Sequence, residues 1–392
     1  MTTKNNIPAG YKDSAVGIIP QEWEMKRFGA CFSIGHGRDY KHLSNGDIPV
    51  YGSGGIICYV GSFLHNGETV CIGRKGTINK PFYYNGPIWT VDTLFYTHNF
   101  QSVLPRYVGY LFDSIDWMRY NEATGVPSLT AKTISNIKKA VPPLAEQRKI
   151  AEILGVWDKA IEKQSRLIEK LELRKRALMQ RLLTGRTRLS SFTTPWQKVK
   201  LGEICKRVTR RNEENNQNVM TISAQKGFVS QTDFFNKSVA SSTLDNYYLV
   251  LKDEFCYNKS YSNGYPMGAV KRLKEADKAV VTTLYICFSI TDKQKLSIDF
   301  FEQYCENGEF NQGLMKIANE GGRAHGLLNV TPTDFFSLVM LLPTLPEQKA
   351  IAEVLTTADK EIATHRKKLD VLRLQKRGLM QQLLTGKTRV KI

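Results

Sequence analysis

Two stretches of the chain repeat one pattern of hydrophobic and polar positions. The first is LAEQRKIAEILGVWDKAIEKQSRLIEKLELRKRALMQRLLTGRTR (144–188), and the second is LPEQKAIAEVLTTADKEIATHRKKLDVLRLQKRGLMQQLLTGKTR (345–389). They align without a gap, and 23 of 45 positions are identical, which indicates an internal duplication. Their apolar positions recur in alternating steps of four and three residues, the heptad pattern of a coiled-coil helix.

The heptad pattern predicts which side chains form the core of the coiled coil. In the first helix they are Ile150, Leu154, Trp157, Ile161, Ile168, Leu171, Lys175, Leu178 and Leu182. In the second helix they are Ile351, Leu355, Ile362, Leu369, Leu372, Lys376, Leu379 and Leu383. Each copy thus places a lysine in the core, where a polar residue usually fixes register at a cost in stability. If the helices pair about a central two-fold axis, Trp157 faces Lys376, and we predict a cation–π contact between them.

The ends of both predicted helices carry matching signals. Glu146 and Glu347 fall in the first turn, where a carboxylate favours the positive end of the helix dipole. Gly185 and Gly386 stand where a left-handed C-terminal cap belongs. The GKT of LLTGKT is therefore interpreted as a helix stop, since a phosphate-binding loop requires a glycine where this chain has Gln381.

The repeats divide the chain into four predicted parts: a globular domain at 1–143, a helix at 144–188, a second globular domain at 189–344 and a second helix at 345–392. The globular segments mix short strand-like runs, such as ETVCIGRK (68–75) and VVTTLYICFSI (280–290), with amphipathic helical runs. We therefore expect an α+β fold. Because domain termini usually lie close together, the second helix should run back along the first, giving an intramolecular, antiparallel coiled coil with pseudo-two-fold symmetry between two domains.

Composition adds a net charge of +18, from 55 Lys and Arg against 37 Asp and Glu. The segments 144–188 and 345–392 supply 23 basic and 11 acidic residues, so the predicted helices hold most of the excess. This charge favours binding to a nucleic acid or to another anionic surface. The longest apolar run, FFSLVMLLP, is too short to span a membrane. Seven cysteines without a CxxC motif favour free thiols in a reducing cytoplasm, and no metal-site spacing occurs.

Two glycine-containing polar stretches have side chains suited to contacting DNA, because Arg and Lys can read guanine, Asn can read adenine, and Ser, Thr and Lys bind phosphates. In IGRKGTINK the predicted contacts are Arg74, Lys75, Thr77, Asn79 and Lys80. In YNKSYSNGYPMGAVKRL they are Tyr257, Asn258, Lys259, Tyr261, Asn263, Lys271 and Arg272.

The chain as a whole resembles the specificity subunit of type I restriction–modification systems. The resemblance is carried by YKDSAVGIIPQEWE near the start, by PPLAEQRKIAEIL and PTLPEQKAIAEVL after the two variable segments, and by the paired LLTG helix ends. It implies that two target-recognition domains each read one half of a divided DNA site and that the coiled coil sets the unread spacer.

The resemblance also implies partners. Methyltransferase subunits, of which we expect two, would dock on the helices and carry S-adenosylmethionine, and motor-nuclease subunits would use ATP and Mg²⁺. No cofactor is expected in this chain. Its only double proline, VPPL, lacks the polar and aromatic residues of an adenine-methyltransferase motif, and a lone Asp39–Lys41 D-x-K is common by chance, so we predict a non-catalytic subunit. The alternative interpretations are a DNA-bridging scaffold without sequence preference and a nuclease with an unrecognised site.

Overall fold

The computed structural model describes residues 7–231, 244–318 and 327–392, and it is mixed α and β. The chain divides into two compact units. The first unit comprises residues 1–165 and 367–392, and the second comprises residues 166–366. Each unit therefore contains one globular part and a stretch of each of two long helices.

The first unit is built mainly of strands. Its strands are β1 (Tyr11–Lys12), β2 (Ile19–Pro20), β3 (Glu24–Arg27), β4 (Ser33–His36), β5 (Asn45–Gly52), β6 (Gly55–Val60), β7 (His65–Gly73), β8 (Phe82–Thr90), β9 (Leu94–His98) and β10 (Lys138–Val141). Its helices are α1 (Pro105–Asp113) and α2 (Ala131–Asn136), with 3₁₀ turns at Phe28–Ala30 and Trp117–Tyr120, and the long helix α3 (Leu144–Leu182) begins here.

Six of these strands form one sheet in the order β4–β9–β7–β8–β5–β6, which leaves β6 at an edge. Only β5 and β8 pair in parallel within it; the other pairs are antiparallel. A separate antiparallel pair, β3 with β10, leads directly into α3. The buried face of α1 packs with Val70 and Ile72 of the sheet in the core, together with Ile150 and Leu154 of α3.

The globular part of the second unit begins and ends with a strand pair like that of the first unit, but the elements between those strands differ. Its strands are β11 (Gln197–Lys200), β12 (Cys205–Arg207), β13 (Met220–Ser223), β14 (Gly227–Ser230), β15 (Tyr248–Leu251), β16 (Phe255–Asn258), β17 (Ala269–Arg272), β18 (Lys278–Val281), β19 (Ile286–Ile290) and β20 (Val339–Leu342). Its helices are α4 (Leu201–Ile204), α5 (Ile298–Glu306), α6 (Asn311–Ile317) and α7 (Pro332–Phe336), followed by the long helix α8 (Leu345–Leu383).

The sheets of the second unit are smaller. Its main sheet has the order β12–β19–β16–β17, and the pairs β13–β14, β15–β18 and β11–β20 stand beside it. The stretch 280–290, predicted as one strand, is two strands, β18 and β19, with different partners. That prediction was wrong because a turn at Thr283 and Leu284 divides the run. The residues of VVTTLYICFSI favour β-structure throughout, so the sequence did not reveal the turn.

The two long helices pair within each unit, and the pairing is antiparallel in both. In the first unit Asp158 of α3 contacts Lys376 of α8, and Glu146 contacts Arg389 beyond the end of α8. In the second unit Lys175 contacts Asp359, and Glu172 contacts Arg366. All predicted core positions are buried or half-buried. Met179, Leu183, Met380 and Leu384, which lie beside the predicted seam, are buried as well.

A buried glutamate holds the start of each long helix. The side chain of Glu146 is fully buried; its carboxylate accepts a hydrogen bond from Trp23 Nε1 at 2.9 Å and from Arg389 Nε at 2.8 Å. Glu347, 201 residues later, is also fully buried and accepts hydrogen bonds from Trp196 Nε1 at 3.2 Å and Arg188 Nη2 at 2.6 Å. We call these two groups the glutamate clamps. The bonds to Glu146 also raise the pKa of the Arg389 guanidinium.

The glutamine that follows each clamp glutamate ties the helix to the globular part. Gln147 accepts a hydrogen bond from Leu104 N and donates to the carbonyls of Ser102 and Pro142. Gln348 makes the matching set with Ser297 N, Lys295 O and Pro343 O. The EQ dipeptide of both repeats is therefore fully hydrogen-bonded. At the other end, Gly185 and Gly386 have a φ of +71°, the left-handed cap predicted for them.

The two core lysines are neutralised by aspartates and not by an aromatic side chain of the helices. Lys376 Nζ donates to Asp158 Oδ1 at 2.6 Å and lies 5.1 Å from the ring centroid of Tyr110 on α1. Lys175 Nζ donates to Asp359 Oδ1 at 2.6 Å. The predicted contact between Lys376 and Trp157 was therefore wrong. The residue next to the seam, Asp158, supplies the counter-charge, and the aromatic ring comes from the globular part.

We expect the variant Glu146→Gln to lower the free energy of unfolding by about 2 kcal/mol, because the buried carboxylate accepts charge-assisted hydrogen bonds from Trp23 and Arg389 that a neutral amide cannot replace; Arg389 itself keeps its ion pair with Glu22. Urea unfolding followed by circular dichroism measures the change. The matched control is Glu152→Gln on the same helix, whose exposed ion pair with Lys149 should contribute less than about 0.5 kcal/mol. Equal losses in the two variants would contradict a structural role for the clamp.

Candidate nucleic-acid interface

The loop after β7 is held rigidly by its backbone while its polar side chains face outward. Arg74 N donates to Thr93 O at 2.8 Å, Gly76 N donates to Pro127 O at 2.8 Å, and Leu129 N donates to Arg74 O at 2.9 Å. Ile78, in the middle of the loop, is buried in the core. Gly76 has a φ of +89°, a conformation that other residues rarely adopt. The loop is therefore a preformed projection.

The predicted contacts in this loop are placed where a ligand can reach them. Arg74, Lys75, Asn79 and Lys80 are exposed, and Thr77 is half-buried. The Arg74 guanidinium donates to the carbonyl of Asp92 at 3.3 Å, a weak bond that leaves most of its donors available. Together these side chains form a small cationic surface on the first unit.

A second basic segment, with Arg38 and Lys41, lies beside this loop; neither residue was predicted to contact DNA. Arg38 N donates to Thr90 O at 2.8 Å, and Trp89 Nε1 donates to Arg38 O at 2.9 Å. The segment thus packs on the end of β8, and the turn that follows accepts the backbone hydrogen bonds of Arg74 and Lys75 through Thr93. Arg38 and Lys41 are exposed. No local signal marks these residues, since only the pairing of distant segments brings them to the loop.

The predicted contacts of the second unit fall into two groups. Three of the seven side chains make their contacts within the protein. Tyr257 is 1% exposed, stacks on Phe335 with ring centroids 4.8 Å apart, and donates to Met267 O. Lys271 is 7% exposed and its Nζ is 2.5 Å from Glu306 Oε1. Arg272 forms ion pairs with Asp253, Asp299 and Glu302. These three predictions were wrong, because strands β16 and β17 turn those side chains toward the core or α5.

Of the remaining candidates, Asn258 ends β16, and Lys259, Tyr261 and Asn263 lie on the segment between β16 and β17. Tyr261 and Asn263 are exposed, and Lys259 is half-buried. Asn258 uses its amide within the protein, donating to Ile222 O and accepting from Ser260 N. The structure therefore reduces the available surface of this stretch to Lys259, Tyr261 and Asn263.

Two titratable side chains near the second of these stretches have a raised pKa. Burial raises the pKa of Tyr265, whose hydroxyl donates to Glu306, so this phenol stays protonated. Burial likewise raises the pKa of Cys256, whose sulfur lies 3.3 Å from that of Cys287. In residues 7–231, 244–318 and 327–392, no group of three or more His, Cys, Asp or Glu side chains is arranged to hold a metal ion, and no helix is long and apolar enough to cross a membrane.

Comparisons with known proteins find relatives in sequence and in fold. The MjaVIII specificity subunit of a type I restriction enzyme from Methanocaldococcus jannaschii is 24% identical over 303 residues, which are 69% of this chain and 66% of that subunit, just under two thirds of its length. The crystal structure of the S subunit of a type I restriction–modification system from M. genitalium superimposes with a TM-score of 0.58 at 13% identity, covering 98% of both chains. A chain from a structure of the type I restriction–modification system gives 0.54 at 15% identity, covering 94% of this chain and 99% of the other.

At such identities the two solved structures establish a likeness of fold alone. The family model is more specific, and it matches the chain twice. The type I restriction modification DNA specificity domain covers residues 20–173 and 193–374, so each match contains one globular part and most of the long helix that follows it. Because the two matches span most of the sequence, this chain belongs to the family of type I restriction–modification DNA specificity domains.

Proposed function

We propose that this chain is the sequence-reading subunit of a type I restriction–modification complex and that each globular part reads one half of a divided site in double-stranded DNA. The observation that carries the proposal is the combination of a duplicated frame with unlike interiors. Both units contain the glutamate clamp and the strand pair that leads into a long helix. Their sheets differ in size and order. Two frames of one design that carry different surfaces are suited to reading two different sequences.

The helices α3 and α8 supply the spacer in this proposal. Their heptad core and their antiparallel contacts in each unit support one continuous, intramolecular coiled coil with pseudo-two-fold symmetry. A helix of 39 residues is about 58 Å long. Separation of two DNA-reading elements sets the separation of their half-sites, so helix length would determine the number of unread base pairs. A DNA-bridging scaffold would also use such a rod, but it has no need for two unlike surfaces.

The outward faces of the helices offer two equivalent docking sites for methyltransferase subunits. Leu173 is 62% exposed and Leu374, 201 residues later, is 66% exposed. In each repeat an exposed arginine follows three residues on, Arg176 and Arg377, so both sites suit a partner with an apolar centre and an acidic rim. A duplicated site favours two partner copies. The methylation and cleavage chemistry, with S-adenosylmethionine, ATP and Mg²⁺, belongs in this proposal to methyltransferase and motor-nuclease subunits.

Selection of binding sequences from random duplexes tests the function itself. We expect two short, unlike motifs at a fixed separation. Retention of all duplexes alike would favour the scaffold, and metal-dependent cutting by the purified chain would favour a nuclease.

For the loop after β7, we expect Arg74→Ala to weaken binding to the selected duplex by about 1–3 kcal/mol if Arg74 reads a base, and by less if it contacts a phosphate. Titration of labelled DNA at several salt concentrations separates the two cases, because a lost phosphate contact lowers the salt dependence of binding. Arg27→Ala, at an exposed arginine on β3, is the matched control.

In the second unit Lys259→Ala should behave like Arg74→Ala. Arg272→Ala should instead lower thermal stability, since it removes three ion pairs.

For the spacer, we expect a matched insertion of one heptad in both helices to lengthen the unread gap. Seven residues add roughly 10 Å to a helix, which corresponds to at most about three base pairs. The insertions are placed between Ile161 and Ile168 and between Ile362 and Leu369, where they leave the clamps and the Lys–Asp pairs intact. Insertion in one helix alone should abolish the cooperative unfolding of the coil. An unchanged gap in the doubly extended chain would refute the spacer.

For the docking sites, we expect Leu173→Ser and Leu374→Ser each to remove one copy of a coexpressed companion methyltransferase and the double variant to remove both. Light scattering after size-exclusion chromatography measures the mass of each complex. Val156→Ser is the control, because Val156 is similarly exposed on α3 but its repeat equivalent is Thr357. A full complement of partner on the double variant would place docking elsewhere.

A further inference from the structure

The hairpin formed by β5 and β6 presents an unusual group of exposed apolar side chains. Ile56 is 50% exposed, Ile57 is 49% exposed and Tyr59 is 51% exposed. All three lie on β6, the edge strand of the six-stranded sheet. Exposed isoleucines on an edge strand are a liability in a protein that works alone, since such an edge attracts other chains. Their presence here requires a binding role or another compensation.

A β-bulge explains why two consecutive isoleucines both point outward. The pairing of β5 with β6 shifts between Val50, which faces Cys58, and Tyr51, which faces Ile56. Ile57 is thus an extra residue on β6, and strict alternation of side chains fails at that point. A bulge of this kind re-aims a side chain and interrupts the hydrogen-bond ladder, so it makes β6 a poor template for an added strand from another protein.

The tip of this hairpin is continuous with the cationic surface of the first unit. Val91 N donates to Tyr51 O at 3.0 Å, and Ser53 N lies 3.5 Å from Thr93 Oγ1. Ser53 Oγ is 3.1 Å from the position that a Cβ on Gly76 would occupy. The turn between β8 and β9 therefore touches both the hairpin and the loop of Arg74 and Lys75.

The exposed charged side chains around the isoleucines carry a net positive charge. The exposed basic side chains carried by the adjoining loops are Arg38, Lys41, Arg74 and Lys75, against the exposed carboxylates Asp39 and Asp92 of those loops and Asp47 of β5. An apolar projection rimmed by excess positive charge matches DNA, in which base edges lie between two rows of phosphates. A protein partner would match equally only if it carried an acidic ring around an apolar pocket, and the bulge already disfavours strand addition.

We infer that the β5–β6 hairpin is a base-reading element, in which Ile56 and Ile57 enter the major groove and contact thymine methyl groups while the neighbouring basic loops bind the phosphates. Thymine is the base that presents a methyl group in that groove, and apolar side chains recognise it there. The inference rests on the proposed function and adds to it a second reading element and a base preference for the half-site read by the first unit.

The test uses the full chain, copurified with its companion subunits, and a duplex selected as described above. The double variant Ile56→Ser/Ile57→Ser should bind the selected duplex at least about tenfold more weakly, because each lost apolar contact to a base edge removes discrimination, while its binding to an unrelated duplex stays within about twofold. Replacing each thymine of the first unit's half-site by uracil, which lacks only the methyl group, should weaken binding of the parent protein at one or two positions and have no effect on the double variant. Ile18→Ser, at an exposed isoleucine in the same unit, is the matched control and should change neither affinity.

Three results would overturn the inference. They are equal affinity of parent and double variant for the selected duplex, indifference of the parent to every uracil replacement, and loss of companion subunits from a double variant that still prefers its site. The third would show that the hairpin docks a protein. If the parent protein selects no motif at all, the proposed function fails. If it selects one and the double variant binds it normally, only the hairpin inference fails. Thermal unfolding of the double variant should match that of the parent, since both side chains are half-exposed.

Discussion

The ion pair between a buried glutamate at the start of one long helix and a partly exposed arginine beyond the end of the other is the contact on which the rest of the structure depends. A carboxylate with no exposed surface must find hydrogen bonds and a counter-charge in the fold. Glu146 finds them in Trp23 and Arg389, which are far apart in sequence. One carboxylate therefore joins the beginning of the globular part, the beginning of α3 and the end of α8, and Glu347 does the same in the second unit. The phrases EQ and LLTG-x-TR occur twice because this contact is made twice.

With the ends of each frame held in this way, the segment between them is free to differ. In the first unit the segment builds a six-stranded sheet, and in the second a four-stranded sheet with two separate strand pairs. The strand pairs β3–β10 and β11–β20 and the glutamines Gln147 and Gln348 attach either interior to its helix by the same hydrogen bonds. The helices and their clamps thereby position each globular part, and the interior of the globular part carries the variable surface. This separation is expected where function lies in a site placed on a common frame.

The sequence predicted the features that depend on local periodicity and failed on those that depend on distant pairing. The positions that heptad spacing predicts from Ile150 to Leu182 are buried or half-buried, because a helix places residues three and four apart on one face whatever surrounds it. The positions of Tyr257, Lys271 and Arg272 could not be derived in the same way, since they depend on contacts with Phe335, Glu306 and Asp253, respectively, which come from other parts of the chain. For the same reason the sequence did not indicate that Arg38 and Lys41 lie near Arg74, because only the turn after β8 brings them together. Glycines and basic residues in a loop mark a surface, but only the pairing of strands decides which side chains share it.

The core lysines link the pairing of the helices to the placement of the globular parts. A lysine in a coiled-coil core normally weakens the coil and fixes its register. Here the aspartate that neutralises Lys376 also accepts hydrogen bonds from Tyr110 and Arg106 of α1, and the aspartate that neutralises Lys175 accepts one from Gln303 of α5. In each unit a single carboxylate therefore fixes both the register of the two helices and the seat of the globular part upon them. A slip of the helices by one turn would break the Lys–Asp pair. It would also remove the hydrogen-bond acceptor of α1 in the first unit and of α5 in the second. Within each unit a change in the register of the helices would therefore also change the placement of the globular part, so the two cannot vary independently.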